Sequence, residues 1–278
     1  MEISIFGSIA VRDAERRLGP GDFGGRKPKQ LLELLLLARG RLVSKEFLGE
    51  ALWPTNVPKS VAATLDTYVC VLRQHLFRDR LTARRVLVTM PYAYRLASDE
   101  VALDVDRFDA LTRLAERADC RRERLRLVEE ALALVGGDLL EDEPYASWAD
   151  PDRVLYRERI DRARLSAARD ALVEGESSSA LRHAEATLQT APFSEGAFRI
   201  VMLANHVLGH GDLAHAAFAR CREVLGRQLG VDPTTETAQL AAAIDAGAPA
   251  CELVATLASG SEILTGRSLA GVAVQAPA

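Results

Sequence analysis

No stretch of this 278-residue chain approaches the roughly 18 uninterrupted apolar residues of a membrane span; apolar blocks such as Leu34 to Ala38 are far too short. Met1 to Val11 alternate in character, and no basic segment precedes a hydrophobic core, so no secretory signal is recognisable and a cytoplasmic address is expected. Cysteine is sparse. Cys70, Cys120, Cys221 and Cys251 stand singly, without metal-ligand or redox spacing, which argues against a disulfide framework or a cysteine zinc site. Most of them are expected to be small buried hydrophobes in a reducing compartment.

Chemistry-bearing constellations are missing too. The glycine-rich stretch Gly19 to Gly25 lacks the Gly-Lys-Ser/Thr ending of a phosphate loop. His206 and His210 are spaced i, i+4, with His215 nearby. A Gly-His-Gly break falls at the second, no acidic or cysteine ligand completes the set, and surface histidines are expected. No serine or cysteine nucleophile has a recognised setting. Glu141-Asp142-Glu143 reads as a solvated acidic loop. No enzyme, no cofactor and no metal are expected.

What is present is a soluble-protein composition, 48% hydrophobic and 27% charged, with an uneven charge distribution. Residues 1–96 hold 16 Lys+Arg against 9 Asp+Glu, a balance of +7. The remainder balances at −11, giving the overall −4. A basic front and an acidic back imply two domains with different partners, the front suited to a polyanion.

The front reads as a small β-sheet, three helices and a hairpin. Ile3, Ile5, Ile9 and Val11 form period-two runs around Gly7. After Pro28, Lys29 to Ala38 is a helix apolar on nearly every side, which must be central to a core. Ser44 caps a short helix that Pro54 ends. From Ser60 to Phe77, Val61, Leu65, Tyr68, Val69, Leu72 and Leu76 fall on one helical face. Ser60, Thr64, Thr67, Val71, Gln74 and Arg78 form the opposite stripe, with Arg73 on its flank. Val86 to Thr89 and Tyr92 to Leu96 are two strands around Met90-Pro91, with Arg84 and Arg85 at their foot. This is the order of a winged helix-turn-helix, whose third helix enters the major groove of double-stranded DNA while the wing follows the backbone. Lys59, Arg84, Arg85 and Arg95 are the expected backbone contacts, joined by Lys27 and Lys29, and Ser60 is a further DNA-binding candidate. Thr64, Thr67, Arg73 and Gln74 are placed to reach base edges. Trp53, Leu65, Tyr68 and Leu72 are assigned to the core.

The back is helical throughout, with helices expected near 105–118, 121–135, 150–174, 178–190, 194–208, 212–228 and 234–245. Gly175-Glu176 and Gly211-Asp212 repeat at an offset of 36, near the tetratricopeptide period. Stacked helix pairs of this kind make grooves for peptides, partner helices or a second copy. Tyr145 and Trp148 are candidate interface aromatics, with core packing the more expected role.

Several segments carry a resemblance. Gly25-Arg26-Lys27-Pro28-Lys29-Gln30-Leu31-Leu32, Leu52-Trp53-Pro54, the run Leu65 to Arg73, and Tyr94-Arg95-Leu96 resemble the DNA-binding domain of the Streptomyces antibiotic regulatory protein family, itself similar to the OmpR-type output domain. Asp106-Arg107-Phe108, Tyr145 to Ala149, Ala191 to Glu195 and Leu229 to Pro233 resemble landmarks of the bacterial transcriptional activation domain that follows it. The family typically has a basic residue where Val71 stands and glycine where Ala93 stands, so this helix carries less charge than its relatives.

The fold expected is mainly α: a winged helix-turn-helix with small β-hairpins over 1–98, then an all-α tetratricopeptide-like domain over 103–246, and a tail from 247 to 278. The resemblance implies an activator of a secondary-metabolite gene cluster that binds direct repeats as a homodimer and recruits RNA polymerase, associated with the nucleoid. Two other readings stay open: an interaction scaffold, or a ligand-sensing regulator whose winged helix binds DNA weakly or not at all.

Overall fold

The computed structural model describes residues 1–13 and 16–258 and divides into two compact units, 1–114 with 130–159, and 115–129 with the chain from 160 on. The tail from 259 to 278, whose role the sequence leaves open, lies outside the described residues.

The first unit opens with β1 (Glu2–Ser4), β2 (Ala10–Asp13) and β3 (Arg16–Leu18), an antiparallel meander. Strand β7 (Ala102–Leu103) joins it alongside β1 in parallel, giving the order β3-β2-β1-β7. Helix α1 (Arg26–Leu37) is buried from Pro28 to Leu37, as an all-round apolar helix must be. After β4 (Val43–Ser44) come α2 (Lys45–Leu52) and α3 (Val61–Leu76), each started by a serine: the Ser44 hydroxyl, as expected, accepts from Phe47 N, and the Ser60 hydroxyl, expected only on the outer stripe, accepts from Ala63 N. The wing is a three-stranded sheet, β4-β6-β5, built from β5 (Leu87–Thr89) and β6 (Ala93–Leu96). Between α3 and β5 lies a helix not anticipated, α4 (Arg80–Val86), capped by Asp79 through Thr82 N at 2.7 Å. Arg84 and Arg85 therefore ride on its last turn.

This unit does not end with the wing. α5 (Asp104–Glu116) begins at Asp104, whose buried carboxylate accepts from Ile5 N and Phe6 N at 2.8 and 2.9 Å; loss of hydration pushes its pKa up to about 6. Phe6 meets Phe108 and Tyr156 edge-on at 5.5 and 5.4 Å. Arg39, in the left-handed region at φ +50°, donates to Asp109 and Tyr156 at 2.7 and 2.8 Å.

Here a correction is needed. Glu141-Asp142-Glu143 is no solvated loop: Glu143 is buried and takes Lys29 at 2.9 Å, Gln30 at 2.6 Å and Arg26 at 3.1 Å. Lys29 also pairs with Asp142, and with fully buried Glu33 at 3.4 Å. The backbone around these acids is in turn held by buried Arg153, which donates to the carbonyls of Leu139, Leu140, Glu143 and Ala146. A helix as buried as α1 must compensate its own polar side chains, and this loop supplies the partners.

The second unit is a helical array: the residues from 160 in α7 (Asp150–Val173), then α8 (Ser177–Thr190), α9 (Glu195–Val207), α10 (Gly211–Leu229), α11 (Thr235–Asp245) and α12 (Ala250–Ala258), with part of α6 (Arg121–Leu132). The seven expected helices stand within a few residues of their expected bounds, and α12 is additional. Three turns share one design. Gly175, Gly209 and Gly247 have φ of +84°, +78° and +73°. At each, the next residue's N–H reaches back to the carbonyl five residues earlier, in Ala171, Asn205 and Ala243, at 2.8, 2.8 and 3.0 Å. The repeat register is thus 175 to 209, a step of 34, and not 175 to 211; Gly211 opens the following helix. Fully buried Ala167, Ala168, Ala171, Ala180, Ala184, Ala197 and Ala204 supply the small surfaces that close helix crossings require.

Other expectations change. Cys221 alone is buried; Cys70, Cys120 and Cys251 are exposed, because each falls on the outer face of its helix or in a turn. Tyr145 is 91% exposed and so no core residue, while Trp148 is half-buried. His206 contacts the Ala248 carbonyl at 2.9 Å and His215 pairs with Asp245 at 2.6 Å, so the histidines serve separate contacts.

Candidate nucleic-acid interface

α3 turns Leu65, Val69, Leu72 and Leu76 inward, all buried. Trp53 and Tyr68 are only half-buried and lie against one another at 5.9 Å, a lid over that core's edge. The outer face is made by Ser60, Ala63, Thr67, Cys70 and Gln74, all exposed, with Lys59 before it and Arg78 after it. This is one residue's rotation away from the expected stripe. Thr64 and Val71 are half-buried, Val71 because Gly24 lies on it: a Cβ at Gly24 would sit 2.2 Å from a Val71 methyl. Val71 thus holds the Phe23–Gly25 turn, whose Phe23 is fully buried, which explains an aliphatic residue at this position.

The exposed face is short-chained. Thr64 and Thr67 each donate their hydroxyl to a carbonyl one turn earlier, Ser60 and Ala63, at 2.8 and 2.9 Å. With Ala63 and Cys70 they make a face of short side chains. Gln74 keeps its amide outward, 4.0 Å from the Cys70 sulfur. Ala63 and Cys70 escape sequence reasoning because neither carries a polar handle.

Two braces fix α3 to the wing. Arg73 donates to the Leu87 carbonyl at 2.5 and 3.2 Å and to the Thr89 hydroxyl oxygen at 2.8 Å. Its guanidinium is therefore committed to β5 and does not reach outward for a base, contrary to expectation. Asp66 accepts from the Tyr94 hydroxyl and from Lys45 at 3.1 Å; these bonds hold its carboxyl below the usual range. The one acid of α3 is thereby matched, so the helix can face a polyanion without an uncompensated negative charge.

The expected cations divide. Lys59, Arg84 and Arg95 are exposed and have no side-chain partner among the described residues. Arg85 is exposed but paired with Glu100 at 3.1 Å. Lys29 is removed from the surface by the buried cluster, and Lys27 is turned to the Leu52 carbonyl and to Gln30 at 3.2 Å. Neither is a phosphate ligand in this arrangement. Wing-tip residues Met90 and Tyr92, not nominated from sequence, are exposed.

Among the described residues no helix is long and apolar enough to cross a membrane, and no group of three or more His, Cys, Asp or Glu could hold a metal ion.

Residues 24–96 match the family described as transcriptional regulatory protein, C terminal, and residues 103–245 match the bacterial transcriptional activator domain. The chain is 30% identical over 262 residues to the regulatory protein DnrI of Streptomyces peucetius, covering 88% of this chain and 92% of that one. It is 27% identical over 221 residues to the transcriptional regulatory protein MoaR1 of Mycobacterium tuberculosis, covering 76% and 69%. The structure of Mycobacterium tuberculosis EmbR in complex with a low-affinity phosphopeptide superposes with a TM-score of 0.80 at 24% identity, over 93% of this chain and 69% of that one, and so shares the fold. A winged helix joined to a helical activator domain, in a chain matching DnrI nearly end to end, belongs to the Streptomyces antibiotic regulatory protein family of transcriptional regulators.

Proposed function

We propose that the chain is a sequence-specific activator. Its winged helix, residues 1–98, binds double-stranded DNA at direct repeats near promoters as a homodimer, and its helical domain, residues 103–246, helps recruit RNA polymerase to a secondary-metabolite gene cluster. The observation that carries the reading is the outer face of α3. It presents Ser60, Ala63, Thr67, Cys70 and Gln74 without a free carboxylate, and exposed Lys59, Arg84 and Arg95 flank it on neighbouring elements. In this arrangement cations neutralise phosphates and position the helix, while the small and polar side chains read base edges. Arg73 and Asp66 act as positioning residues for α3 and the wing. Against the scaffold alternative, Val71 on α3 has a packing role under Gly24.

The test is selection of genomic fragments by the full chain in about 0.1 M salt, where non-specific electrostatic binding is already weakened. Enrichment of short direct repeats near promoters is expected, with affinity falling steeply as salt rises. Equal retention of every fragment, insensitive to salt, would sink the reading.

A further inference from the structure

Tyr92 is 85% exposed at the tip of the wing, beside Met90 at 43% and exposed Pro91. An aromatic ring so placed lacks any packing role in this unit, yet its backbone is fixed. Met90 N donates to the Ala93 carbonyl at 2.9 Å, closing the turn, and Lys45 N donates to the Tyr92 carbonyl at 2.8 Å, extending the β4–β6 pairing to the tip. The strands behind it are tied to α3 by Arg73 through Leu87 and by Asp66 through Tyr94. From Val86 to Ala97 the sequence has no carboxylate, and its one cation, Arg95, faces outward. A rigid apolar point is thus held at a set offset from the candidate reading helix, on a strip free of negative charge.

The offset suits one target. Strand residues advance about 3.3 Å each, so the tip stands roughly 10 Å beyond Leu87, where Arg73 grips the wing. A wing of that reach, starting at the flank of a helix in the major groove, crosses the phosphate ridge to the adjoining minor groove, about 6 Å wide. Methionine and proline are residues that part base steps there, and an aromatic ring can stack on an unstacked base. We propose that Tyr92, with Met90 and Pro91, wedges into the minor groove beside the major groove occupied by α3, partly unstacks one base step and bends the duplex. The proposal rests on the DNA-binding reading above. It adds a readout of deformability, since steps that part easily are favoured wherever the tip lands.

A wedge differs from a cation in its salt signature. Losing a phosphate contact flattens the dependence of affinity on salt, whereas losing an apolar wedge lowers affinity at every salt concentration alike. The experiment uses the full chain and a duplex it selects from a randomised 40-base-pair pool. End-to-end fluorescence transfer reports bending, and 2-aminopurine scanned through the flanking steps reports unstacking. The wild type is expected to bend the duplex by roughly 20–90° and to brighten 2-aminopurine at one step. Tyr92→Ala should straighten the duplex and weaken binding by about 5- to 50-fold with an unchanged salt slope. Tyr92→Phe should keep the bend. A wild-type complex that is straight, or a Tyr92→Ala complex as bent as wild type, overturns the wedge while leaving DNA binding intact. Failure to select any duplex overturns both.

Discussion

In the first unit the defining side-chain contacts reach far along the chain, Gln30 to Glu143 across 113 residues and Arg39 to Tyr156 across 117. In the second the defining bonds close within five residues, at the glycines that end α7, α9 and α11. The first unit carries a buried lysine and several buried carboxylates around its central helix, whereas the second buries many alanines and one carboxylate, Asp170, which Arg124 holds at 2.6 Å. Burying charge costs stability unless every group is matched, but it ties distant segments to one arrangement; small-residue crossings carry no such penalty and little such specificity. The segment that holds the candidate reading helix is thus the one with the more exacting interior.

The largest test of this contrast is Lys29→Met. It leaves Glu33 and Asp142 without their cation and Glu143 with Arg26 alone, and should cost about 3–5 kcal/mol in urea denaturation. A loss under 1 kcal/mol would mean the cluster is incidental. Next comes a matched pair of glycines. Gly24→Ala combines φ +76° with a collision at Val71 and should cost about 3 kcal/mol, with weakened DNA binding because α3 must shift. Gly209→Ala has φ +78° but open space around it, and should cost about 1–2 kcal/mol with DNA affinity unchanged. Equal costs would erase the distinction between the units.

A third prediction uses pH. Glu33 is fully buried, lies 3.4 Å from Lys29 and has no hydrogen-bond partner for either carboxylate oxygen; lost hydration pushes its pKa up to about 8. Its folded pKa lies above its unfolded one, so its contribution is complete below the ordinary carboxylate range and is lost as pH rises through about 8. Between pH 6 and pH 8 the wild type should lose about 2 kcal/mol that Glu33→Gln does not lose. Parallel stability profiles for the two chains would show that Glu33 is ionised throughout. The smallest effect concerns the interface. Lys59→Ala should weaken binding a few-fold and reduce the salt slope by about 0.9, while Arg73→Met should weaken binding at an unchanged slope, because its guanidinium braces the wing. Identical slopes for both variants would place Arg73 on the phosphates.

The same contrast explains what could be read from the sequence. Helices of the second unit stand out because their signals are local: periodicity, a glycine at each end, proline after the break. So does α3, by its periodicity. The repeat register slipped by two residues because Gly209 and Gly211 flank one histidine, and only the backbone tells which takes the left-handed turn. The partners of Lys29 lie over a hundred residues away, and nothing in either segment announces the other. Helix α4 is seven residues long and merges into a strand, too short for its periodicity to register. At the candidate interface the exposure of Lys59, Arg84, Arg85 and Arg95 is legible from residue type. The bracing by Arg73 is not, because its partners are a carbonyl and a hydroxyl on a strand whose placement no local pattern gives.

The braces on α3 have a consequence for how such a protein changes over evolutionary time. Asp66 and Arg73, which anchor the helix, are distinct from Ala63, Cys70 and Gln74, which hold no other element of the fold. Substitutions at those three positions alter the surface offered to bases without loosening the helix that presents it. On the DNA-binding function proposed above, a duplicated copy of this gene can drift to a new operator through viable intermediates, each still folded, and acquire a separate set of targets.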